Sequence, residues 1–467
     1  MTAHVPRKRL APLLTALAAV LAGVAAGGAG GAAPPDLAAI TRPGANIQRT
    51  MTLLEESTPQ ARNTVRVLFY GQSITRQNWW PIVEEQLRKT YPHANLIVAN
   101  RAIGGFQAPS LMQTAEFDLY PFYPDLLVFH VYGGGGDAMD KWEEIIRRTR
   151  TRTAAEILVW THHDVGRERD YAESERIRQI ALKYDCGLVD VLEQWQQMLA
   201  RRNLEPKALL SSGPHLNREG CELLAEMIIP FFKYDPQLMT DQSRKLATDV
   251  PFGDRTRVRR LPDGCVEVTF QGNRIDAIAS PGAGAAPLAD VLIDGRKPSA
   301  IPELHVLTRP SNAPFDAVRP ALKRIGHEAP LVEEDRLLEV LESTSDGNRF
   351  RFRASGSVTG EDGEGTNTER FVSRSGRVVI EPQSNWMVAW ALGYRKREMP
   401  ADFRVTWSVV CQGTDELQFP PAGHDGTETA VTLAQGLSNG THTLKLIPRK
   451  PTELPISGFR VYRPPLE

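Results

Sequence analysis

Short apolar runs alternate with longer amphipathic runs between Val65 and Phe232, and this alternation constrains the fold more than any other feature. A short, continuous apolar run predicts a buried strand, whereas apolar residues that recur every three or four positions predict a helix. Strands that alternate with helices form a mainly parallel sheet covered on both faces. We therefore predict an α/β domain over residues 61–235.

The individual elements can be assigned from the same pattern. The predicted strands are residues 65–70, 96–99, 126–131, 156–161 and 187–191, and the predicted helices are residues 81–91, 139–150, 172–184 and 218–232. Asn78 is a candidate cap for the first helix. In open α/β sheets, ligands bind outside the carboxyl ends of the strands, so functional residues are expected in the loops that follow strands.

A second pattern, with apolar residues at every other position, begins at about Asp254. It is clearest in four predicted strands, residues 265–270, 377–380, 403–410 and 442–447, and turn signals at residues 346–348 and 438–440 separate such runs. A chain of 467 residues is also too long for one ordinary core. We predict an all-β sandwich or jelly-roll region over residues 236–467.

The N-terminal segment has the pattern of an export signal. Arg7, Lys8 and Arg9 precede an apolar stretch from Leu10 to Ala26, and small residues continue to Ala33. We predict a cleavable signal peptide over residues 1–33, with a membrane anchor as the alternative, and a linker over residues 34–60. The expected location is secreted or periplasmic, with no stable membrane span after processing.

Charge and cysteine content restrict the partners. The formal net charge of -1 suggests neither a nucleic-acid partner nor a membrane-surface partner. The cysteines are Cys186, Cys221, Cys265 and Cys411. Export permits disulfides and an even number fits two bridges, such as one in each domain, although spacing does not establish the pairing.

A candidate nucleophile follows the first predicted strand. This strand runs into Gly71-Gln72-Ser73-Ile74-Thr75 and then into a helix, which places Ser73 on a sharp turn at the carboxyl edge of the sheet. There its hydroxyl lies near the N–H groups of a helix N-terminus, which favour developing negative charge. Gly-x-Ser is also ordinary turn chemistry, so this motif needs support from other loops.

Two further loops supply that support. The loop Asn100–Phe106 follows the second predicted strand and contains Gly104 and Gly105, whose backbone N–H groups can hold an oxyanion. His215, within Ser212-Gly-Pro-His-Leu-Asn217, lies just before the last helix. It is a candidate base for Ser73, and the alternative is a helix-entry residue bonded to backbone.

Together these three segments resemble conserved blocks of the SGNH/GDSL hydrolases. The turn at residues 71–75 resembles the GDSIT block, residues 100–105 the glycine block, and residues 212–217 the DGxHLN block. The resemblance covers about residues 61–235. It implies a flavodoxin-like three-layer α/β domain, no obligatory cofactor and hydrolysis of carboxylic esters. Many secreted members remove acetyl groups from polysaccharides, so the expected substrate is an acylated carbohydrate or another small ester.

The resemblance also implies roles for individual residues. Ser73 is the nucleophile and His215 its base, and the backbone N–H groups of Ser73 and Gly105 stabilise the oxyanion. Gly134 lies where the family has an asparagine that also serves the oxyanion. Loss of such a donor costs roughly a hundredfold to a thousandfold in rate.

The chain departs from the family pattern at two other positions. Gln72 replaces the usual aspartate of the first block, and Ser212 replaces the aspartate three residues before the histidine. Asp164 and Asp137, in loops at the predicted catalytic edge, are the candidate acids that orient His215. The alternative is a weak or inactive relative that binds glycan without turnover.

Three other features have competing interpretations. A metal could be bound by the side chains of His130, His162, His163, Asp164 and His215. The protein would then be a metal-dependent hydrolase. No HExxH-type spacing supports such a site. Trp79 and Trp80 are a candidate sugar platform or simply pack their helix on the sheet. The segment 360–365 is a candidate calcium loop or an exposed turn.

Overall fold

The computed structural model describes residues 36–281, 283, 288–382, 385–421, 425–450 and 453–467. The predicted export signal, residues 1–33, lies outside these ranges. Within them, none of the helices has both the length and the apolar character needed to cross a bilayer.

The first part of the described chain alternates strands and helices. Its strands are β1 (Thr64–Gly71), β2 (Asn95–Asn100), β3 (Leu126–His130), β4 (Glu156–Trp160) and β5 (Gly187–Val189), followed by a hairpin of β6 (Leu210–Ser212) and β7 (His215–Leu216). Its helices are α1 (Leu37–Ile40), α2 (Gln48–Glu55), α3 (Trp79–Thr90), α4 (Ala108–Asp118), α5 (Ala138–Arg152), α6 (Glu168–Lys183), α7 (Val191–Arg202), α8 (Arg218–Ile228) and α9 (Asp241–Lys245).

The central sheet is parallel and has the strand order β2-β1-β3-β4-β5. This is the flavodoxin-like order of doubly wound sheets. Alternate residues of β1 enter different cores, since Val65, Val67 and Phe69 belong to one buried cluster and Leu68 and Tyr70 to the other. The predicted three-layer α/β fold is confirmed.

The segment predicted as a linker is part of this core. Helix α2 buries Met51 and Leu54, and the preceding Ile47 is also fully buried against the sheet. The backbone N–H groups of Arg49 and Thr50 donate to the Glu156 carboxylate over 2.9 and 2.7 Å. The prediction of a linker is therefore wrong for the helical part of residues 34–60, because an apolar face with helical spacing anchors it.

The second part is built from strands, as predicted. They are β8 (Ala247–Pro251), β9 (Val258–Arg260), β10 (Val266–Ala279), β11 (Ala289–Ile293), β12 (His305–Leu307), β13 (Glu334–Ser343), β14 (Phe350–Gly356), β15 (Gly360–Thr366), β16 (Phe371–Val372), β17 (Val379–Ile380), β18 (Arg404–Cys411), β19 (Glu416–Leu417), β20 (Ala430–Pro448) and β21 (Ile456–Tyr462). A helix, α10 (Val388–Arg395), interrupts them.

These strands form two larger antiparallel sheets with separate cores. One has the order β19-β11-β20-β10-β21-β8, with β9 paired to β10, and the other has the order β12-β18-β13-β14-β15. No residue is shared between their described buried clusters. The second sheet is formed by chain that lies between β11 and β19 of the first.

The α/β part and the β region pack into one compact unit over residues 37–467. Arg309, just after β12, donates two hydrogen bonds of 2.9 and 2.8 Å to the buried carboxylate of Asp118 at the end of α4. Tyr123 donates its hydroxyl proton to Asn273 of β10 over 2.6 Å. Arg309 Nη2 also donates to the carbonyl oxygen of Arg101, directly after β2, over 3.2 Å, which fixes the segment at Arg309 near a loop that follows a parallel strand.

All four cysteines are free thiols, so the expectation of two disulfides is wrong. Cys186 and Cys221 belong to buried clusters on opposite faces of the parallel sheet. Cys265 and Cys411 lie beside β10 and at the end of β18, in different antiparallel sheets. The parallel sheet lies between Cys186 and Cys221, so their Cα atoms are farther apart than a disulfide allows.

Candidate active site

The turn after β1 presents Ser73 at the carboxyl edge of the sheet. A Cβ atom at Gly71 would overlap the carbonyl oxygen of His130 and the hydroxyl of Thr75, so the close approach of β1 to β3 requires glycine here. Backbone bonds then close a tight turn, with Arg76 N–H donating to Ser73 O over 3.1 Å. Helix α3 begins only at Trp79, later than a direct strand-to-helix turn would place it.

His215 approaches Ser73 from the β6–β7 hairpin. Its Nε2 lies 2.9 Å from Ser73 Oγ, and its Nδ1 lies 3.1 Å from the backbone carbonyl oxygen of Ser212. A carbonyl oxygen only accepts hydrogen bonds, so this contact places the imidazole proton on Nδ1. The Nε2 lone pair then faces the serine hydroxyl, which is the tautomer that a general base requires.

Gln77 ties the two loops together. Its Oε1 accepts from Leu216 N–H over 3.0 Å, and its Nε2 donates to Leu216 O over 2.8 Å. Gln77 lies four residues after Ser73, and Leu216 directly follows His215. One side chain thus fixes the distance between the two turns, a role that the sequence motifs did not indicate.

The histidines proposed as metal ligands are instead hydrogen-bonded in the interior. His163 lies 2.9 Å from Pro214 O through Nε2 and 3.1 Å from the Tyr132 hydroxyl through Nδ1, and so supports the His215 hairpin. His130 Nε2 contacts His162 Nδ1 over 2.8 Å, and His162 Nε2 contacts Glu173 over 2.9 Å.

Burial sets the charge of these three imidazoles. Desolvation lowers the pKa of His163 to about 4 and lowers the pKa values of His130 and His162 well below the ordinary range. In the described residues, no cluster of three or more His, Cys, Asp or Glu side chains has the arrangement of a metal site. The alternative of a metal site formed by His130, His162, His163, Asp164 and His215 is therefore not supported in the described part of the chain.

Neither candidate acid contacts His215. The Asp164 carboxylate accepts hydrogen bonds from Gly166 N–H, the Tyr171 hydroxyl and the Gln196 amide, over 2.7 to 3.2 Å. Asp137 is exposed and lies 3.6 Å from Lys141. The prediction that one of them orients the base is wrong, because the Ser212 carbonyl oxygen occupies that position.

The glycine loop after β2 lies against the nucleophile. Ile103 N–H donates to Gly71 O over 2.9 Å, and a Cβ atom at Gly104 would lie 3.7 Å from Ser73 Cβ. Among the described residues, the backbone N–H groups of Ser73 and Gly105 have no acceptor. They are therefore available to an anionic oxygen beside Ser73.

Gln107 occupies the volume beside Gly134, the position at which the motif resemblance expects an asparagine. Gly134 has a φ of +97°, and a Cβ atom built there would overlap the carboxamide of Gln107, the residue before α4. The Gln107 amide thus occupies the space into which a side chain at position 134 would extend. The sequence showed glycine at position 134 where the motif resemblance expects asparagine, but it did not show that Gln107 fills the space.

Gln72 joins the second and third loops. With its amide oriented to satisfy both neighbours, it donates to Phe106 O over 3.0 Å and accepts from Tyr132 N–H over 3.1 Å. The side chain is buried. An uncharged residue that both donates and accepts suits this position.

The tryptophans after the nucleophile turn belong to the core. Trp79 has no exposed surface, donates to Ile74 O over 2.7 Å and packs edge-to-face on Trp160. Trp80 is partly buried against the same cluster and lies 5.8 Å from the Phe69 ring. The prediction of a sugar platform at these residues is wrong for Trp79, and the observed packing of Trp80 does not support it.

The carboxylates of the candidate calcium loop are used elsewhere. Residues 360–366 form strand β15. Buried Asp362 pairs with Arg336 over 2.7 Å, and Glu364 pairs with Arg351 and Arg353 over 2.7 and 2.9 Å. These arginines already neutralise the charges that a calcium ion would need, so the calcium-loop interpretation is wrong.

The β region contributes residues beside the nucleophile that sequence reasoning missed. The position of a Cβ atom at Gly104 is 3.9 Å from Arg319 Nη2, and that of a Cβ atom at Gly105 is 2.9 Å from the Trp390 ring. Both side chains come from chain about 200 residues or more after the glycine loop. No local pattern marks either residue, because only long-range packing brings them here.

Comparison with known proteins finds similarity among solved structures. No protein-family model and no curated protein matches the chain. Axe2, an acetylxylan esterase from Geobacillus stearothermophilus, is 18% identical, with a TM-score of 0.34 and alignment over 39% of this chain and 100% of that one. A GDSL-like lipase from Parabacteroides merdae ATCC 43184 is 15% identical, with a TM-score of 0.33 over 38% and 100%.

A third similar structure extends over both parts of the chain. It is a two-domain esterase (CEX) active on acetylated mannans, co-crystallised with mannopentaose. It is 13% identical, with a TM-score of 0.35, and the alignment covers 90% of this chain and 95% of that one. At this level of similarity, none of these structures by itself assigns an activity to this chain.

Proposed function

We propose that this protein is a serine esterase of the SGNH/GDSL type, with Ser73 as nucleophile and His215 as general base. The observation that carries the proposal is the 2.9 Å contact between Ser73 Oγ and His215 Nε2, with Nδ1 bound to the Ser212 carbonyl oxygen. A hydroxyl is a weak nucleophile, and a positioned imidazole activates it by accepting its proton. The arrangement contains both groups and the correct tautomer.

The reaction proceeds in two balanced steps. Ser73 Oγ bonds to the acyl carbon of the ester while its proton passes to His215 Nε2. The tetrahedral intermediate then expels the alcohol, which takes that proton, and an acyl-serine remains. Water next attacks the acyl carbon as His215 accepts its proton. The bond between the acyl carbon and Ser73 Oγ then breaks, the proton on His215 passes to Ser73 Oγ, and the carboxylic acid is released.

Three donors serve the developing oxyanion in this proposal. They are the backbone N–H groups of Ser73 and Gly105 and the side-chain amide of Gln107. The overlap between Gln107 and a side chain at position 134 supports the third donor. Preorganised donors of this kind act where negative charge develops in the transition state.

The substrate that we propose is an acetylated carbohydrate, and the protein is proposed to be exported by the signal over residues 1–33. The motif resemblance supports acetyl-ester chemistry on polysaccharides, as does the position of exposed aromatic residues beside the glycine loop. In this proposal residues 61–235, together with α2, form the catalytic domain. The β region over residues 236–467 is accessory to it.

Turnover of an aryl acetate tests the proposal. Ser73→Ala should lower kcat by roughly 10⁴-fold or more, because the nucleophile and its base act as a unit. Ser355→Ala in β14 is the matched control and should retain wild-type turnover. A serine-directed fluorophosphonate should modify the wild-type chain at Ser73, which mass spectrometry of peptides can locate.

Two other outcomes would replace the proposal. Glycan binding without aryl acetate turnover would identify a non-catalytic binding protein, an alternative motivated by the absence of a carboxylate at His215. A metal-dependent hydrolase would be identified by a different set of results. Its activity would be unchanged in Ser73→Ala, would be lost on addition of a chelator and would return with a divalent metal.

A further inference from the structure

Arg319 is held rigidly beside the candidate nucleophile by its own region of the chain. The side chain is only 4% exposed, and its Nη1 donates to Asp316 over 2.7 Å. Its guanidinium lies over the rings of Trp390 and Tyr394, 4.5 and 4.0 Å from their centroids. A side chain fixed in this way is positioned before any ligand arrives, so little conformational freedom is lost on binding.

One edge of this guanidinium faces the glycine loop without a partner. A Cβ atom at Gly104 would be 3.9 Å from Arg319 Nη2 and 3.7 Å from Ser73 Cβ, so the guanidinium and the nucleophile flank the same residue. In the described part of the chain, Nη2 makes no hydrogen bond, and the buried Nε is also without one. Nη2 is therefore a charged donor without a protein partner among the described residues, and it can bind an acceptor group of a ligand beside the glycine loop.

An exposed aromatic surface lies next to this arginine. Trp390 and Tyr394, one turn apart on α10, stack at 5.9 Å with an angle of 28° and are 40% and 62% exposed. Trp390 also packs against Phe106, with 6.3 Å between ring centroids. Flat aromatic surface of this kind, open beside a polar group, suits a ring with one apolar face and a polar edge.

The charge around this surface is positive. Arg76, exposed and three residues after Ser73, has no ion-pair partner among the described residues. Partial desolvation and the positive charge of nearby Arg319 lower the pKa of Arg76. Asp316 is shared, since Arg395 Nε lies 3.4 Å from the same carboxylate oxygen that Arg319 contacts. Two arginines therefore contact one buried carboxylate, and Arg76 adds a third positive charge nearby.

We propose that Arg319, Trp390 and Tyr394 form a subsite for an acidic sugar, so that the substrate of the esterase is an acetylated glycan that contains uronate. The sugar ring lies on Trp390 and Tyr394, its carboxylate accepts from Arg319 Nη2, and Arg76 adds attraction. This inference rests on the proposed esterase function and names the substrate class of the same site. A guanidinium edge matches the geometry and charge of a carboxylate better than those of a neutral hydroxyl.

Release of acetate from a matched pair of substrates tests the inference. The pair is acetylated oligogalacturonate and the same oligosaccharide after methyl esterification, which removes the charge and keeps the ring and the acetyl group. For the wild-type chain, kcat/KM should be at least tenfold higher for the charged form. Raising the salt to about 0.5 M should reduce this preference, because the exposed Arg76 contribution is screened.

Variants assign the preference to the subsite. Arg319→Met should abolish it, and Arg319→Lys should retain part of it. Arg404→Met, on an exposed arginine of β18 that lies 3.8 Å from Glu339, removes the same charge at a distance and should retain the full preference. Trp390→Ala should weaken the binding of both substrate forms to the Ser73→Ala protein by a similar factor, measured calorimetrically.

The possible failures are distinguishable. Equal kcat/KM values for the two substrates, in a wild-type chain that shows Ser73-dependent aryl acetate turnover, would overturn the acidic subsite and leave the esterase intact. Absence of that turnover would overturn the proposed function itself. If Arg319→Met fails to fold, the exposed Arg76→Met variant is used in its place. The inference would be overturned if Arg76→Met kept the full preference for the charged substrate and salt did not reduce that preference in the wild type.

Discussion

The two sides of the candidate site are built in different ways. The side that carries the chemistry consists of loops that directly follow parallel strands and of one short hairpin. Ser73 lies two residues after β1, and His215 is the first residue of β7. The opposite side consists of Arg319 and Trp390, brought in by the β region. The first arrangement follows from strand order and local turns, whereas the second depends on packing between distant segments.

This difference suggests that the two sides of the site have different functions. Groups on the parallel-sheet side should determine how fast the bound ester reacts, since they touch the reacting atoms. Groups on the β-region side should determine which glycan binds. Substitutions on the two sides are therefore expected to move kcat and KM separately, and the following predictions test that separation.

The largest effect on the parallel-sheet side, apart from loss of the nucleophile, is expected at Gln107. Gln107→Ala should lower kcat on an aryl acetate by roughly a hundredfold to a thousandfold with little change in KM, because one oxyanion donor is lost. Steady-state kinetics measure both parameters. If the substitution raised KM and left kcat unchanged, Gln107 would act by binding the ground state. The two sides of the site would then not differ in the way described above.

A second substitution controls for indirect effects at this position. Adding Gly134→Asn to Gln107→Ala places the family's amide in the space that Gln107 vacates, and asparagine tolerates positive φ better than most residues. Part of the lost kcat should return in the double variant. No recovery in a folded double variant would argue against a shared amide position.

Acid should destabilise the protein through the buried histidines under the parallel-sheet side. The pKa of His163 is lowered to about 4 by burial, whereas an unfolded histidine titrates near 6.5. The unfolded state thus binds more protons between these values, so stability is full above about pH 6.5 and falls as the pH drops toward 4. Below pH 4, His163 alone removes about 3 kcal/mol.

Urea unfolding at pH 7 and at pH 4.5 measures this loss. His130 and His162 shift in the same direction and should add to it. His327→Gln, at an exposed position of the β region, is the control and should leave the pH dependence unchanged. Equal free energies of unfolding at the two pH values would show that these imidazoles are not buried in neutral form.

The smallest of these effects is expected at Gln77, which acts through position alone. Gln77→Ala removes both hydrogen bonds to Leu216 and should lower kcat about tenfold while the thermal midpoint changes little. Gln86→Ala, on the exposed face of α3, is the matched control. An unchanged kcat would mean that the hairpin is held mainly by His163 and Pro214.

Much of the parallel-sheet side could be predicted from sequence. The alternation of strand and helix patterns identified the fold, and the loops that contain Ser73, Gly105 and His215 followed from it. The contact of 2.9 Å between Ser73 and His215 joins residues 142 positions apart, yet it needs only that both loops reach one sheet edge. Local patterns suffice where topology brings strand ends together.

The remaining features depend on contacts that no local pattern encodes. The position of Asp164 after β4 made it a candidate for the acid that orients His215. Its carboxylate instead accepts hydrogen bonds from Tyr171 and Gln196 and does not contact His215. Trp79 lies next to the nucleophile turn in sequence, yet its helix directs the ring into the core. Arg319 and Trp390 lie in irregular or short elements whose neighbours are far away in the chain. The helical spacing of Ile47, Met51 and Leu54 was visible, but too short to distinguish from linker.

The main-chain partner of His215 has a consequence for how the proposed rate depends on pH. In a triad, the orienting carboxylate loses its effect when it is protonated, so a second ionisation limits activity at low pH. A peptide carbonyl does not ionise in water at any pH the fold survives, and no side-chain substitution at position 212 removes it. Acid therefore cannot remove the orientation of the base by protonating its partner, as it can in a triad.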